Sequence, residues 1–325
     1  MRLTLESPFA SRFLAWIHER FPLVNAVLFL VLYASALFYG RALAGGGAAD
    51  ATGRLAVNLP DVAGFFAVWA FFLMLRVFDE HKDYALDLEN HPKRVLQSGL
   101  VTLSHLKVVG AVAIAIQLGA SMWLDHGVGR VTIAWAIVMA YSALMAKEFF
   151  IGEWLGKRLV PYALSHMMVM PLALLWMAQM GARSAALPSD AAYLALLAFF
   201  SGLAFEIARK TKAPEDERAG VDTYTKALGL RGAPVAIVIV LLVGTGVLAV
   251  VLRGLYQGSV PVYAWIAIGV SAVLPVIAVA RFLGSPSPKG AKGIEGMVSL
   301  SMLTGYVVLI ACIVSQRGVA WTGSE

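Results

Sequence analysis

The sequence predicts an all-α polytopic membrane protein, and three observations carry that prediction. Mean hydropathy is +0.76 over 325 residues, with 59% hydrophobic and only 14% charged residues. Nine stretches reach or approach the ~20 apolar residues that cross a bilayer: 22–44, 61–78, 103–124, 129–147, 159–181, 188–208, 233–256, 260–283 and 295–315. The basic residues are lopsided: with the N-terminus inside, the inner segments hold 20 Lys/Arg and the outer ones 6, as the positive-inside rule requires. The runs are continuous, without the alternation in ~10-residue segments that marks a transmembrane barrel. A lone span in lipid must satisfy its own backbone, so each run is expected to be a helix.

Taken in order, residues 1–21 carry Arg2, Arg12 and Arg20 between apolar patches. They suit a short amphipathic cytoplasmic helix on the membrane surface and lack the small-residue site of a cleavable signal. Residues 22–315 are expected to form one transmembrane domain, followed by an outer tail at 316–325. Loop 45–58 is Gly/Ala-rich and carries no motif. Loop 284–293 (Gly284-Ser285-Pro286-Ser287-Pro288-Lys289-Gly290) reads as a flexible connector. Cys312 stands alone, which excludes an internal disulfide and a Cys-rich metal site. No basic face on a soluble surface suggests nucleic acid as a partner. The net charge of +6 reflects membrane topology, and the expected location is a bacterial inner membrane with the N-terminus cytoplasmic and the C-terminus outside. The sequence does not set an oligomeric state.

Two inner loops stand out, 79–102 after span two and 209–232 after span six. They lie four spans apart, and Arg76 and Glu206 mark the ends of the spans before them. A duplicated unit with one polar loop per half would give this spacing.

In the first loop Asp79, Asp83 and Asp87 are spaced i, i+4, i+8 and would share a helix face, with Glu80 beside them. Like charges so close repel unless a cation lies between them. All-oxygen ligands suit Mg²⁺, with Mn²⁺ as the alternative. Magnesium takes one or two carboxylates and shares phosphate oxygens with a substrate. A phosphate or diphosphate is therefore the expected partner, with Lys93 and Arg94 placed to meet the same anion. Ionisable groups against a membrane span are costly and usually functional; a solvated helix end with Asp/Lys pairs is the plainer reading.

The stretch Asp79-Glu80-x-x-Asp83-x-x-x-Asp87, then Asn90-His91-Pro92-Lys93-Arg94, then Ser98-Gly99, resembles the first signature of the UbiA superfamily of intramembrane prenyltransferases. That signature reads Asn-Asp-x-x-Asp-x-x-x-Asp, often followed by Asn-His-Pro-x-Arg and Ser-Gly. Asp79 stands in the Asn slot and Glu80 in the Asp slot. Nine spans with polar loops after spans two and six also look like the family. Tyr141-Ser142 followed by Lys147 is similar to a further family pattern, although an interfacial Tyr and a snorkelling Lys account for it equally well.

The resemblance weakens in the second loop. Anchored on Gly220 and Thr223, Lys210 occupies the slot of the first family Asp, Ala213 the second and Glu217 the third, with Glu215, Asp216 and Asp222 close by. Glu217 and Asp216 are candidate metal ligands. Arg209, Lys210 and Lys212 are candidate diphosphate-binding cations, alongside Lys147 and Tyr141, or ordinary membrane anchors. Glu206 and His166 are candidate cavity residues; Glu206 could equally pair with Lys210 at i+4. Pro214 should end or kink a helix, leaving 213–222 as a mobile cap.

The resemblance implies a bundle of nine helices around a central cavity and Mg²⁺-dependent transfer of a prenyl group from a prenyl diphosphate to an acceptor. Asp79, Asp83, Asp87 and Lys210 would then be the catalytic residues. Transfer of a phosphosugar to a polyprenyl phosphate is the alternative, and a non-catalytic lipid-binding or transport protein on the same scaffold is a third.

Overall fold

The computed structural model describes residues 3–45, 53–218, 220–256 and 258–323. Its helices are α1 (Phe9–Arg20), α2 (Asn25–Ala44), α3 (Leu59–Lys82), α4 (Tyr84–Asn90), α5 (Leu103–Asp125), α6 (Arg130–Ala146), α7 (Gly152–Gly156), α8 (Leu159–Met167), α9 (Val169–Ala182), α10 (Ala191–Arg209), α11 (Tyr224–Leu255), α12 (Val262–Gly284) and α13 (Pro288–Arg317). Eight apolar helical segments are long enough to cross a membrane, counting α8 and α9 as one; α6, at 17 residues, is a shorter ninth. The all-α prediction therefore holds, with a span count of about nine.

The order of packing closes a ring. Neighbours along the chain pack together, as in α3 with α5, α10 with α11 and α12 with α13, and α13 returns to α2. Side chains such as Phe66, Val108, Val112, Ile133, Ile239 and Ile266 are exposed around the outside. An apolar girdle of this kind faces lipid. The protein is an integral, multi-pass membrane protein.

Helices α2 and α9 meet at their backbones. A Cβ on Gly40 would collide with the carbonyl of Ala178, and one on Gly181 with the carbonyl of Leu37. Small residues of this kind let membrane helices approach closely.

Several boundaries differ from the sequence reading for local reasons. Span five is two helices, parted at Met168. Thr223 caps α11, its hydroxyl accepting from Lys226 N at 3.2 Å, so residues 224–232 are helical up to and past a kink at Gly229 (φ 81°). The expected flexible connector at 284–293 is mostly the start of α13: Ser287 accepts from Gly290 N and Pro288 takes the first helical position, where its missing N–H is harmless.

The sequence reading contained no strands. Leu55–Asn58 (β1) and Val319–Gly323 (β2) pair in parallel, Leu55 opposite Val319, Ala56 opposite Ala320 and Val57 opposite Trp321. The chain after the last span thus meets the chain between α2 and α3, on the side away from the two polar loops. Arg41 anchors this corner. It binds Asp61 and the Ala56 carbonyl, and Arg183 Nη2 reaches Asp61 Oδ1 at 2.5 Å and Asn58 Oδ1 at 3.0 Å. Tyr33 OH donates to the Asp61 carbonyl at 2.7 Å.

Helix α1 packs onto the bundle. Trp16, Ile17 and Phe21 bury against Phe29, Leu73, Val77, Leu96, Val101 and Leu106. This seat positions Arg20 against the first acidic loop.

Candidate active site

The first motif does not stay on one continuous helix. α3 stops at Lys82, Asp83 leaves helical geometry (φ −93°, ψ 4°), and α4 starts at Tyr84. The acids consequently part company. Glu80 is buried and binds Arg20 of α1. Asp87 Oδ2 takes Arg94 Nη1 at 2.7 Å and Arg20 Nη2 at 3.2 Å. Among the described residues Asp79 has one ion pair, with Arg76 at 3.8 Å, and its side chain is 49% exposed. Asp83 makes no side-chain hydrogen bond or close ion pair among the described residues, and its charge acts on Lys82.

The four acids Asp79, Glu80, Asp83 and Asp87, expected to share one helix face, are split by the break at Asp83 and by the partners they take. Among the described residues no three acidic, His or Cys side chains are grouped closely enough to hold a metal. Glu80 and Asp87 pair with Arg20 and Arg94, so Arg94, expected to meet an anion, has a carboxylate beside it. Arg20 reflects its company: burial alone would lower its pKa, but the Glu80 contact and the charges of Glu80, Asp87 and Glu19 raise it. Asp79 and Asp83 remain open. Two carboxylates one turn apart fit a Mg²⁺ ion that completes its shell with phosphate oxygens and water.

The other face of the α3 end carries Lys82, which the sequence analysis did not single out. Its Nζ donates to Tyr162 OH at 2.8 Å and lies 3.8 Å from Glu148 Oε1. Glu148, Phe149 and Phe150 turn the chain after α6 in the left-handed region (φ 48°, 55° and 60°), at about 1–2 kcal/mol per residue. That turn aims Glu148 at Lys82 and sets Phe149 between Tyr141 and His166. Tyr141 OH donates to the Ser165 carbonyl at 2.6 Å, so it serves α8 packing.

Lys210 comes to the same tyrosine from the second loop. Its Nζ sits 5.7 Å from the Tyr162 ring centroid and 2.7 Å from Glu206 Oε1, while Arg209 Nη2 takes Glu206 Oε2 at 2.7 Å. Glu206 thus pairs at i+4 as one sequence reading had it, and the trio keeps one net positive charge. His166 stacks on Tyr162 at 3.9 Å. Its Nδ1 donates to the Tyr162 carbonyl at 2.8 Å, and Nε2 is buried with no partner.

Of the second-loop acids, Glu217 is engaged within its own loop and Asp216 is exposed. Glu217 accepts from Thr223 Oγ1 at 2.7 Å and Thr225 Oγ1 at 2.5 Å, and lies 3.6 Å from Lys226 Nζ. These bonds fasten the segment expected to be a mobile cap to the start of α11. Asp216 is exposed in a 3₁₀ turn at Pro214–Asp216, after α10 has already ended at Arg209. Lys212 uses its backbone N–H on Thr225. Lys93 lies away from Tyr162, in a surface groove with Glu19, Asn90, His91 and Arg94. Lys147 follows α6 and is exposed.

The sequence profile of the UbiA prenyltransferase family matches residues 32–301, which include both polar loops. The chain belongs to the UbiA prenyltransferase family. No curated protein matches it. Among solved structures it is similar to one described in work on digeranylgeranylglyceryl phosphate synthase in membranes, at TM-score 0.63 and 16% identity, over 94% of this chain and 99% of the other. It is also similar to an apo structure of a UbiA homolog from Aeropyrum pernix K1, at TM-score 0.61 and 15% identity, over 88% and 97% of the two chains. At such identities the likeness concerns the fold. In this UbiA member Lys82 and Lys210 both approach Tyr162.

Proposed function

We propose that the protein transfers a prenyl group from a prenyl diphosphate to an acceptor within the membrane. The observation that carries this reading is the convergence of the two loops: open carboxylates Asp79 and Asp83 share a helix end with Lys82, and Lys82 and Lys210 flank one tyrosine. Family membership supports the reaction class. The 20-to-6 excess of basic residues supports a cytoplasmic motif side.

Asp79 and Asp83 would hold Mg²⁺ or Mn²⁺, whose chemistry is to neutralise charge on diphosphate oxygens. Lys82 and Lys210 supply fixed positive charge to the same anion as it leaves. Preorganised charge aimed at a leaving group is the largest expected contribution. The carbon–oxygen bond to the prenyl carbon breaks with its electron pair staying on diphosphate. A lone or π pair of the acceptor then forms the new bond, and the acceptor loses a proton. Tyr162 holds Lys82 in place, and apolar helix faces shelter the prenyl tail.

The basic second loop gives one reason to keep a second reading, transfer of a phosphosugar to a polyprenyl phosphate: Arg209, Lys210 and Lys212 would serve two phosphorylated substrates. Reconstituted protein incubated with prenyl diphosphates of several lengths, and separately with phosphoribosyl diphosphate, distinguishes them. Diphosphate release from a prenyl donor supports the proposal. Release from phosphoribosyl diphosphate alone selects the second reading, and release from neither points to a non-catalytic lipid-binding protein.

A further inference from the structure

A cavity of about 520 Å³ opens between α3, α5 and α6, on the motif side of the bundle. Its walls and its rim have opposite character. Val77, Phe78, Ile114 and Ala143 line the apolar part. At the mouth stand three lysines from three helix ends: Lys82 closes α3, Lys107 lies in the first turns of α5, and Lys147 follows α6. Among the described residues no acidic side chain lines the space.

Only one of these cations is engaged. Lys82 is held by Tyr162 and Glu148, whereas Lys107 and Lys147 have no hydrogen-bond or ion-pair partner among the described residues. His81 adds an independent observation. It lines the same cavity, its Nδ1 donates to the Val77 carbonyl at 2.8 Å, and its Nε2 is buried with no partner among the described residues. A buried polar atom of this kind calls for a ligand or water. Lysines that merely anchor a membrane protein extend into water along separate paths; here three of them rim one apolar hollow of the size that holds a small ligand.

We infer that this cavity is a binding site for a lipid monophosphate, with the phosphate among Lys82, Lys107 and Lys147 and the tail along Val77, Phe78 and Ile114. The assignment rests on the cavity and its charges, independently of the transfer reading. Lys82 belongs both to this rim and to the Tyr162 contact, so a bound phosphate would sit beside the proposed transfer site. An acceptor with an anionic head would be seated there.

The test uses purified full-length protein in neutral detergent, without donor or divalent metal. Retention of radiolabelled dodecyl phosphate is measured by equilibrium dialysis, with dodecanoate and dodecanol as comparison ligands. Dodecyl phosphate is expected to bind more tightly than dodecanol. The double variant Lys107→Ala/Lys147→Ala should weaken phosphate binding roughly tenfold or more and leave dodecanol unchanged. Ala143→Trp, which fills the apolar part, should weaken all three ligands. Lys289→Ala, a lysine at the start of α13 that does not line the cavity, should change none of them. Equal binding of phosphate to wild type and the double variant would overturn the assignment. So would dodecanol matching dodecyl phosphate, or loss of phosphate binding in Lys289→Ala. Dodecanoate outbinding dodecyl phosphate would replace the phosphate head with a carboxylate and overturn the ligand class. Because no donor is present, absence of prenyl transfer leaves each of these results intact.

Discussion

Lys82 donates to the hydroxyl of Tyr162 at 2.8 Å and so ties the end of α3 to α8. The same ring has Lys210 at 5.7 Å, which makes Tyr162 the meeting point of the two polar loops. Tyr162→Phe keeps the ring and removes the acceptor. It should lower kcat of prenyl transfer by about tenfold, in line with the loss of one charged hydrogen bond, with little change in thermal stability. Steady-state kinetics beside a melting curve checks this; an unchanged kcat would remove Lys82 from the mechanism.

Lys210 occupies a slot where the family resemblance implies an acid. Lys210→Asp would place a carboxylate next to Glu206 and withdraw a cation from the diphosphate. Activity should fall by about 10²-fold, while Lys210→Arg should retain most of it. Comparing the two at several Mg²⁺ concentrations checks the prediction. Recovery of full activity by Lys210→Asp at high Mg²⁺ would mean that a second metal can serve there and that the lysine is a neutral replacement.

The glycines at the α2–α9 contact predict a purely structural failure. Gly40→Leu and Gly181→Leu each drive side-chain carbon into a facing carbonyl. Overpacking of this kind costs about 1–3 kcal/mol. Thermal unfolding in detergent should show lowered midpoints for both, and substitution of Gly246, where a Cβ would meet open space, should not.

Much of this fold was legible because its signals are long. Spans such as 61–78 and 233–256 announce themselves over 18 and 24 residues, and the 79–94 pattern needs only local spacing. What escaped depends on contacts distant in sequence. β1 and β2 are four and five residues long, too short for any periodicity, and pair across more than 250 residues. Arg20 claims Glu80 and Asp87 only because α1 folds back on the bundle. Lys82 sits in an unspecified slot of its motif, and Tyr162 is 80 positions away. Their meeting is set by the ring closure that precedes it. The parting of Glu80 and Asp87 from Asp79 and Asp83 follows from the break at Asp83, which an ideal helix face cannot show.

The Glu217 latch predicts a pH dependence. Burial pushes its carboxyl up, but hydrogen bonds from Thr225 and Thr223 and the nearby Lys226 bring it net below the ordinary glutamate value of 4.5. A depressed folded-state pKa means stabilisation that is full above 4.5 and lost as pH falls through the folded value. Hydrogen exchange over residues 211–218 and 220–226 should therefore quicken in acid below pH 4.5. Glu217→Gln should exchange fast already at neutral pH and show no such transition.

The central claim is that Asp79 and Asp83 carry a metal-bound diphosphate within a prenyl-transfer site. Its most direct test is diphosphate release from a prenyl diphosphate, followed with and without Mg²⁺, in wild-type protein and in Asp79→Ala, Asp83→Ala and Asp87→Ala. The account predicts metal-dependent release by wild type, a loss of about 10²-fold or more in the first two variants, and a milder loss in Asp87→Ala, whose carboxylate holds Arg20 and Arg94. Undiminished release by Asp83→Ala, or release by wild type that ignores metal, would contradict it.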